Sequence, residues 1–354
     1  MGEIAGRAGE AEILVRNYPV TNVPSKIGTL VLAVTTEVPH RNLELLSPNR
    51  DMVFGRWKVL LNPKPGTECD FWVVFTTSRQ RDGMRVAPEN TLYAAGEPPS
   101  KKVHPWKFYS QFYHVHSCNP DDPHPRVVVG APCLNWHVGL DHRSCEYRFG
   151  YDHLAALEKP EKDNRIAVVC SDLRATEGQR ERLRFLEVLK AGLGEKMVHY
   201  GRGFEQIPDK FDAILPFAYH LVLENSRVPH YWSEKLADAY LGHAFPFYLG
   251  APNLEEYFPQ GSFRKIEPAR PDEAVKMIAV AIEDGFYKKQ AGQVAHARRL
   301  ILDDYNFFTN LVNLADARFL PDMGKRMVEI LSHKAFRNFP KNLIFRMKNR
   351  NRKG

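Results

Sequence analysis

The second half of the chain alternates between short apolar runs and amphipathic segments. The apolar runs occupy residues 165–172, 196–201, 220–225 and 244–250, and helical patterns occupy residues 177–193, 209–213, 231–242 and 271–284. Short, continuous apolar runs are typical of strands that are buried on both faces, as in parallel sheets. The alternation therefore predicts a doubly wound α/β domain.

The first half of the chain contains strand-like segments separated by Pro- and Gly-rich breaks. They lie at residues 30–38, 70–77, 91–97, 112–117 and 126–132. A charged stretch, EKPEKDNR, follows at residues 158–165. Its apolar residues show neither a helical nor a strand periodicity, so it is interpreted as a linker. The predicted division is therefore a domain at 1–157, the linker, a second domain at 166–332 and a tail at 333–354.

The net charge of +7 is concentrated at the carboxyl terminus. Residues 333–354 contain eight Lys and Arg side chains and no acidic ones, so the rest of the chain is close to neutral. A basic folded domain for nucleic acid is therefore not predicted. Aromatic and aliphatic residues interleave with the tail's cations, which favours either peripheral contact with an anionic membrane or a solvated terminus.

The five cysteines are widely spaced and form no C-x-x-C pair, which fits a reducing compartment. No uninterrupted apolar run is long enough to cross a membrane. No D-x-D follows a predicted strand, so neither a metal nor another cofactor is expected. These features predict a cytoplasmic protein.

Polar residues are concentrated between the predicted strand at 220–225 and the predicted helix at 231–242. Tyr231, Glu234 and Lys235 stand at i, i+3 and i+4, so they would share one face of that helix's first turn. A lysine at this end opposes the helix dipole, which makes an anionic ligand a reason for its presence. Spacing alone leaves a surface Glu–Lys pair as an equal alternative.

Residues 224–250 contain the string E-N-S-x4-Y-x-S-E-K-L-A-D-A-Y, followed by F-P-F-Y-L-G. This stretch resembles the signature of glycosyltransferase family 10, the α-1,3/4-fucosyltransferases. The family pattern runs F-E-N-[ST], then Y-V-T-E-K, a helix, and P-[IV]-Y-x-G. The gaps match from Glu224 to Gly250, with Leu223, Trp232 and Ser233 as departures. The resemblance extends from about Phe71 to about Asn310.

This resemblance implies a GT-B fold, in which two Rossmann-like domains face each other across a cleft. It implies transfer of L-fucose from GDP-fucose to a hydroxyl of a glycan, with inversion and without a metal. The implied acceptor is an N-acetylglucosamine- or glucose-type residue of a surface glycan such as lipopolysaccharide, and the implied linkage is α-1,3/4. Transfer of another GDP-deoxysugar, and a non-catalytic carbohydrate-binding protein of this fold, stay open as alternatives. The chain resembles the bacterial members of the family, which implies a cytoplasmic location with peripheral contact of the basic tail on the inner face of the cytoplasmic membrane.

The resemblance also implies roles for individual residues. Glu97, in TLYAAGEPPS, takes the place of the general base. Arg182 takes the place of an arginine that contacts the diphosphate, with Arg180 as an alternative because a two-residue shift of the alignment is also possible.

The remaining implied residues belong to the donor site. Lys235 would bind the diphosphate, and Glu234 and Tyr231 would hold ribose, fucose or guanine. Donor contact is also implied for Asn225, Ser226 and Gly250, whereas Glu224 has either a structural or a binding role.

Overall fold

A computed structural model describes residues 12–13, 30–76, 78–174 and 177–336. The basic part of the predicted tail beyond residue 336 lies outside these residues. The strands are β1 (Glu12–Ile13), β2 (Leu30–Thr36), β3 (Val53–Phe54), β4 (Trp57–Leu61), β5 (Phe71–Phe75), β6 (Arg81–Val86), β7 (Thr91–Ala94), β8 (His114–Ser117), β9 (Val127–Val129), β10 (Leu140–Asp141), β11 (Glu146–Tyr147), β12 (Asp163–Val169), β13 (Met197–Tyr200), β14 (Phe217–Leu223), β15 (Phe245–Leu249), β16 (Arg264–Lys265) and β17 (Arg326–Leu331).

The helices are α1 (Trp106–Tyr109), α2 (Tyr151–Ala156), α3 (Glu177–Leu193), α4 (Lys210–Ile214), α5 (Glu234–Leu241), α6 (Pro271–Glu283), α7 (Phe286–Arg299) and α8 (Phe307–Asp316). Short 3-10 turns lie at Leu43–Leu46, Pro48–Arg50, Pro88–Asn90, Gly194–Lys196, Leu254–Glu256 and His333–Phe336, and a π turn lies at Leu300–Asp304. None of the helices in the described ranges is both long and apolar enough to cross a bilayer.

The chain divides into two compact units. The first unit contains Met1–Val38, Met52–Cys133 and Phe308–Gly354, and the second contains Pro39–Asp51 and Leu134–Phe307. This division differs from the predicted boundaries at residues 157 and 166 and from the predicted second-domain end at 332. Sequence patterns cannot reveal the difference, because it depends on contacts between segments that are far apart in the chain.

Two such contacts account for the placement of residues 134–150 and of β17. The backbone N–H groups of His137 and Val138 donate to the buried carboxylate of Asp238 at 2.7 and 3.0 Å, which fastens residues 134–150 to the second unit. At the other end of the chain, β17 pairs antiparallel with β6 and so belongs to the first unit. A linker position inferred from local composition misses both interactions.

The first unit is built on a sheet with the order β1-β9-β8-β7-β5-β2-β4-β3. All its pairings are parallel except that of β3 with β4. The strands predicted from the apolar runs correspond to β2, β5, β7, β8 and β9, and β5 is buried throughout. Strand β6, RDGMRV, was not predicted because its charged residues and glycine give no apolar run.

The second unit contains a parallel sheet with the order β13-β12-β14-β15-β16. The chain leaves β12 toward β13 on one side and later returns to β14 on the other side. The strand order therefore reverses between β12 and β14, and the loops after these two strands separate at their carboxyl ends. In open parallel sheets, this switch point is where ligands bind.

Candidate functional site

A cavity of about 350 Å³ lies in the second unit at this switch point. Neutral residues at the end of β12, after it and near the start of α3 form part of its wall, namely Val169, Cys170, Ser171, Leu173 and Gln179. Titratable residues from α4, α5 and the segment before α2 form another part, namely His137, Lys210, Glu234, Lys235 and Asp238. These five side chains are linked by contacts of 3.0–3.6 Å, and we refer to them as the charged end of the cavity.

The start of α5 is held by a buried carboxylate at the end of β14. Glu224 accepts hydrogen bonds from the backbone N–H of Ser233 at 2.8 Å and from its hydroxyl at 2.6 Å. Ser233 in turn caps α5, since its side chain accepts from the N–H of Lys235. Serine is among the preferred residues at this position because its oxygen pairs with an otherwise unsatisfied N–H. Glu224 therefore has a structural role, one of the two roles considered for it.

The prediction that Tyr231 shares the first helical turn with Glu234 and Lys235 is wrong. Helix α5 begins at Glu234, because Ser233 has extended backbone angles and serves as its cap. Tyr231 is only 3% exposed and is not part of the cavity wall. Its carbonyl oxygen accepts a 3.4 Å hydrogen bond from the hydroxyl of Tyr248. The sequence placed the helix start too early because the apolar pattern continues back through Trp232.

Lys235 lies between two carboxylates. Its Nζ is 3.2 Å from Glu234 Oε1 and 3.4 Å from Glu224 Oε2. Burial alone would lower the pKa of Lys235, but these carboxylates raise it above its ordinary value. Burial alone would raise the pKa of Glu234, but the ammonium groups of Lys235 and Lys210 hold it well below its ordinary value. Both groups are therefore charged in the folded protein.

Sequence reasoning missed Lys210, a second lysine at the charged end. Its Nζ lies 3.0 Å from Asp238 Oδ2, 3.6 Å from Glu234 Oε1 and 3.3 Å from His137 Nδ1. Lys210 begins α4, directly after Asp209, which caps that helix. The sequence offered one signal for Lys210, its position next to Asp209 at the start of the predicted helix. That signal does not indicate where the lysine side chain lies.

The structure distinguishes the two candidate arginines on α3. Arg182 lines the cavity and donates from Nη1 to Asn225 Oδ1 at 3.0 Å. Its buried Nε has no hydrogen-bond partner, and its guanidinium has no carboxylate partner, among the residues that the structure describes. Arg180 is exposed and pairs with Glu177 at 2.8 Å. Arg182 is therefore the arginine that is available to an anion in the cavity.

Of the other residues predicted to contact the donor, only one lines the cavity. Asn225 lines it, whereas Ser226 and Gly250 do not. A side chain at Gly250 would meet the Tyr248 hydroxyl at 2.2 Å and Glu224 Cγ at 2.7 Å. Gly250 is thus required for close packing beside the Glu224 carboxylate. It supports the site indirectly.

His220 is an additional cavity residue that the sequence analysis did not select. It lies on β14 and is 4% exposed. Its Nδ1 has no hydrogen-bond partner within the described ranges. Burial, followed by the nearby Lys210 ammonium, lowers the pKa of His220 to about 3, so the ring is neutral.

Glu97 belongs to the first unit and follows β7 at the carboxyl edge of its sheet. Its side chain is 33% exposed, and Oε1 accepts from the Nζ of Lys101 at 2.7 Å. The placement at a strand end agrees with the sequence analysis. Its role as a base stays a prediction.

No group of three or more His, Cys, Asp and Glu side chains in the described part of the chain is arranged to hold a metal ion. The five cysteines are free thiols. Besides its apolar residues, the cavity wall contains cations and amides, whose N–H groups can donate hydrogen bonds to a polar anion.

Comparison with protein-family models gives no match, and comparison with curated proteins also gives none. Among solved structures, an α1,3-fucosyltransferase with GDP-fucose matches with a TM-score of 0.50 and 17% identity, over 85% of this chain and 93% of that chain. An α1,3-fucosyltransferase with GDP matches with a TM-score of 0.48 and 16% identity, over 81% of this chain and 94% of that one.

The first of these matches extends over most of both chains, and at its level of identity it shows the fold alone. Two Rossmann-like units, each with a parallel sheet, agree with that fold. The predicted fold class is therefore confirmed: the chain has the GT-B fold of glycosyltransferases.

Proposed function

We propose that this chain is a glycosyltransferase whose donor is a sugar linked to a guanosine diphosphate. One observation carries the proposal: the cavity at the β12–β14 switch point holds Arg182, a cation without a carboxylate partner among the described residues. The guanidinium fork matches the geometry of phosphate oxygens, so a diphosphate is the anion that fits best. The fold supports this assignment.

The N-terminus of α5 supplies a second feature that suits a diphosphate. Helix N-termini present free N–H groups and a positive dipole end, which favour phosphate. Lys235 lies in the first turn of α5 and lines the cavity. Arg182 and Lys235 would thus neutralise charge that grows on the diphosphate as it leaves the sugar. This is the chemical work that an inverting transferase requires on the donor side.

The finer proposal is transfer of L-fucose from GDP-fucose to a hydroxyl of a glycan, with inversion. It rests on the signature from Glu224 to Gly250 and on Glu97, whose carboxylate stands at the end of β7. Inversion by direct displacement needs one base on the acceptor side, and Glu97 is the candidate. An acceptor with an N-acetylglucosamine- or glucose-type residue and an α-1,3/4 linkage completes the proposal.

The first test is calorimetric titration of the purified chain with GDP, GDP-fucose, GDP-mannose and UDP-glucose, without added metal. We expect binding of the guanine nucleotides, with GDP-fucose bound more tightly than GDP-mannose. Preference for GDP-mannose would replace fucose with another sugar. Absence of binding by all four would remove the transferase proposal in favour of a carbohydrate-binding protein of this fold.

Replacing Arg182 with Met is expected to weaken GDP binding by about 10- to 100-fold, because hydrogen bonds to charged groups contribute about 1.5–3 kcal/mol each. Arg180→Met is a matched control, since it removes the same side chain two residues away on α3. We expect that control to bind GDP as the wild type does, because Arg180 is exposed and paired with Glu177. Calorimetry measures both variants, and equal losses would assign the effect to general surface charge.

A further inference from the structure

Three histidines cluster at the charged end of the cavity. His137 lines the cavity itself. The rings of His40 and His142 pack edge-on against it, with centroid distances of 5.2 and 5.5 Å. All three residues belong to the second unit but lie outside its parallel sheet. We refer to His40, His137 and His142 as the imidazole cluster.

Hydrogen bonding indicates the protonation state of two rings of this cluster, those of His137 and His40, in the folded chain. A lysine ammonium can only donate, so the 3.3 Å contact from Lys210 Nζ makes His137 Nδ1 an acceptor and the ring neutral. The amide nitrogen of Asn135 lies 3.0 Å from His40 Nδ1, which gives the same result for that ring. Burial, followed by the Lys210 ammonium, holds the pKa of His137 well below its ordinary value.

Two of the three cavity cations are already paired while the imidazoles are neutral. Lys210 contacts the carboxylates of Asp238 and Glu234, and Lys235 contacts those of Glu234 and Glu224. A nucleotide sugar carries a diphosphate with two negative charges, and Arg182, which has no carboxylate partner among the described residues, would compensate only one of them. Nearby anions favour the protonated form of a histidine, and histidine is the side chain that can gain charge near neutral pH.

We propose that binding of the nucleotide sugar is coupled to proton uptake by the imidazole cluster, with His137 as the residue of the cluster that belongs to the donor site. The inference rests on the proposed function and extends it, because it assigns part of the diphosphate's charge compensation to a group that is neutral before binding. The proton comes from solvent and forms an N–H bond at the unprotonated ring nitrogen, while no bond of the nucleotide sugar breaks. In His137 that nitrogen is Nδ1, so Lys210 must release its hydrogen bond to this atom.

The charged groups that face the cluster act in opposite directions. Lys210, on α4, opposes protonation of all three rings. Glu234 favours it at all three, whereas Asp238 and Asp141 favour it at His142. A bound diphosphate adds negative charge and so favours protonation, as these carboxylates do. It also engages the positive charge of Lys210. The rings also oppose one another: His142 lowers the pKa of His40, and both lower the pKa of His137, so a proton on one ring disfavours a second.

The test is calorimetry with GDP-fucose at about pH 6.5 in buffers that differ in ionisation enthalpy, which measures the protons taken up per binding event. GDP-fucose is the correct probe because it lacks the terminal phosphate group, whose own pKa near 6 would add a proton signal to GDP. We expect uptake of roughly half to one proton and an affinity that rises up to about tenfold for each unit decrease in pH. Binding without proton uptake would overturn the inference and leave the donor assignment intact.

Two variants locate the proton. His137→Gln should abolish most of the uptake and flatten the pH dependence of affinity, whereas His296→Gln, at an exposed position on α7, should retain both. Equal uptake by both variants would overturn the role of His137. If His137→Gln does not fold, the wild-type imidazole C–H resonances provide the readout, and no shift on addition of GDP-fucose would contradict the inference. If the wild type binds no guanine nucleotide, the proposed function fails and this inference fails with it.

Discussion

A chain carrying Glu97→Gln is expected to transfer sugar about 100-fold more slowly than the wild type, or slower still, while it binds the donor equally well. Glutamine preserves the size and hydrogen-bonding reach of glutamate but cannot accept the acceptor's proton. The donor cavity lies wholly in the second unit, whereas Glu97 lies in the first, so donor affinity should not depend on it. Single-turnover transfer from GDP-fucose to an N-acetylglucosamine-containing acceptor gives the rate, and calorimetry gives the affinity.

A matched control is available in the same unit. Glu68 also pairs with a lysine, with 3.3 Å between its Oε1 and Lys325 Nζ, and its side chain is 58% exposed. Glu68→Gln removes the charge of a Glu–Lys pair as Glu97→Gln does, without touching the strand end after β7. We expect full activity from this control. Wild-type turnover in Glu97→Gln would remove Glu97 from the role of base.

Lys235→Met is expected to lower the free energy of unfolding by about 3 kcal/mol and to weaken GDP binding by about 10-fold or more. The first effect arises because the substitution leaves the buried Glu224 carboxylate without its 3.4 Å ammonium partner. The second arises because a cavity cation is lost. Chemical denaturation and calorimetry measure the two effects separately, below the temperature at which the variant unfolds.

A double variant separates stability from binding. Glu224→Gln combined with Lys235→Met removes the buried carboxylate together with its cation, so much of the lost stability should return. GDP affinity should stay low, because the cation is still absent. Lys190→Met, at an exposed position on α3, controls for general loss of positive charge. Recovery of GDP binding in the double variant would show that Lys235 acts on the donor only through folding.

Local patterns were sufficient for β2, β5, β7–β9 and β12–β15. Residues 166–169 of β12 and the whole of β15 are continuous apolar runs, which are typical of strands buried on both faces. Strands β3, β4 and β6 were not predicted. For β6 the pairing depends on a distant partner, because it lies antiparallel to β17.

The candidate site was predictable where its residues are close in sequence. Glu224, Glu234 and Lys235 are joined by one strand–loop–helix segment, so their proximity follows from that segment alone. The sequence narrowed the arginine predicted to contact the diphosphate to Arg180 or Arg182, since both fit the helical period. Choosing between them required the position of α3 relative to the cavity.

The sequence by itself therefore determined the α/β class and the polar joint after β14, because both are set by interactions within short stretches of chain. Only the tertiary structure decided that residues 134–150 pack on the second unit, that Tyr231 lies outside the cavity wall, and that Lys210 and His137 lie within it. The first of these placements depends on buried hydrogen bonds between segments about 100 residues apart, such as that from the Val138 N–H to Asp238. A local sequence pattern does not predict such hydrogen bonds, because the carboxylate that accepts them can lie on any element that the fold brings near.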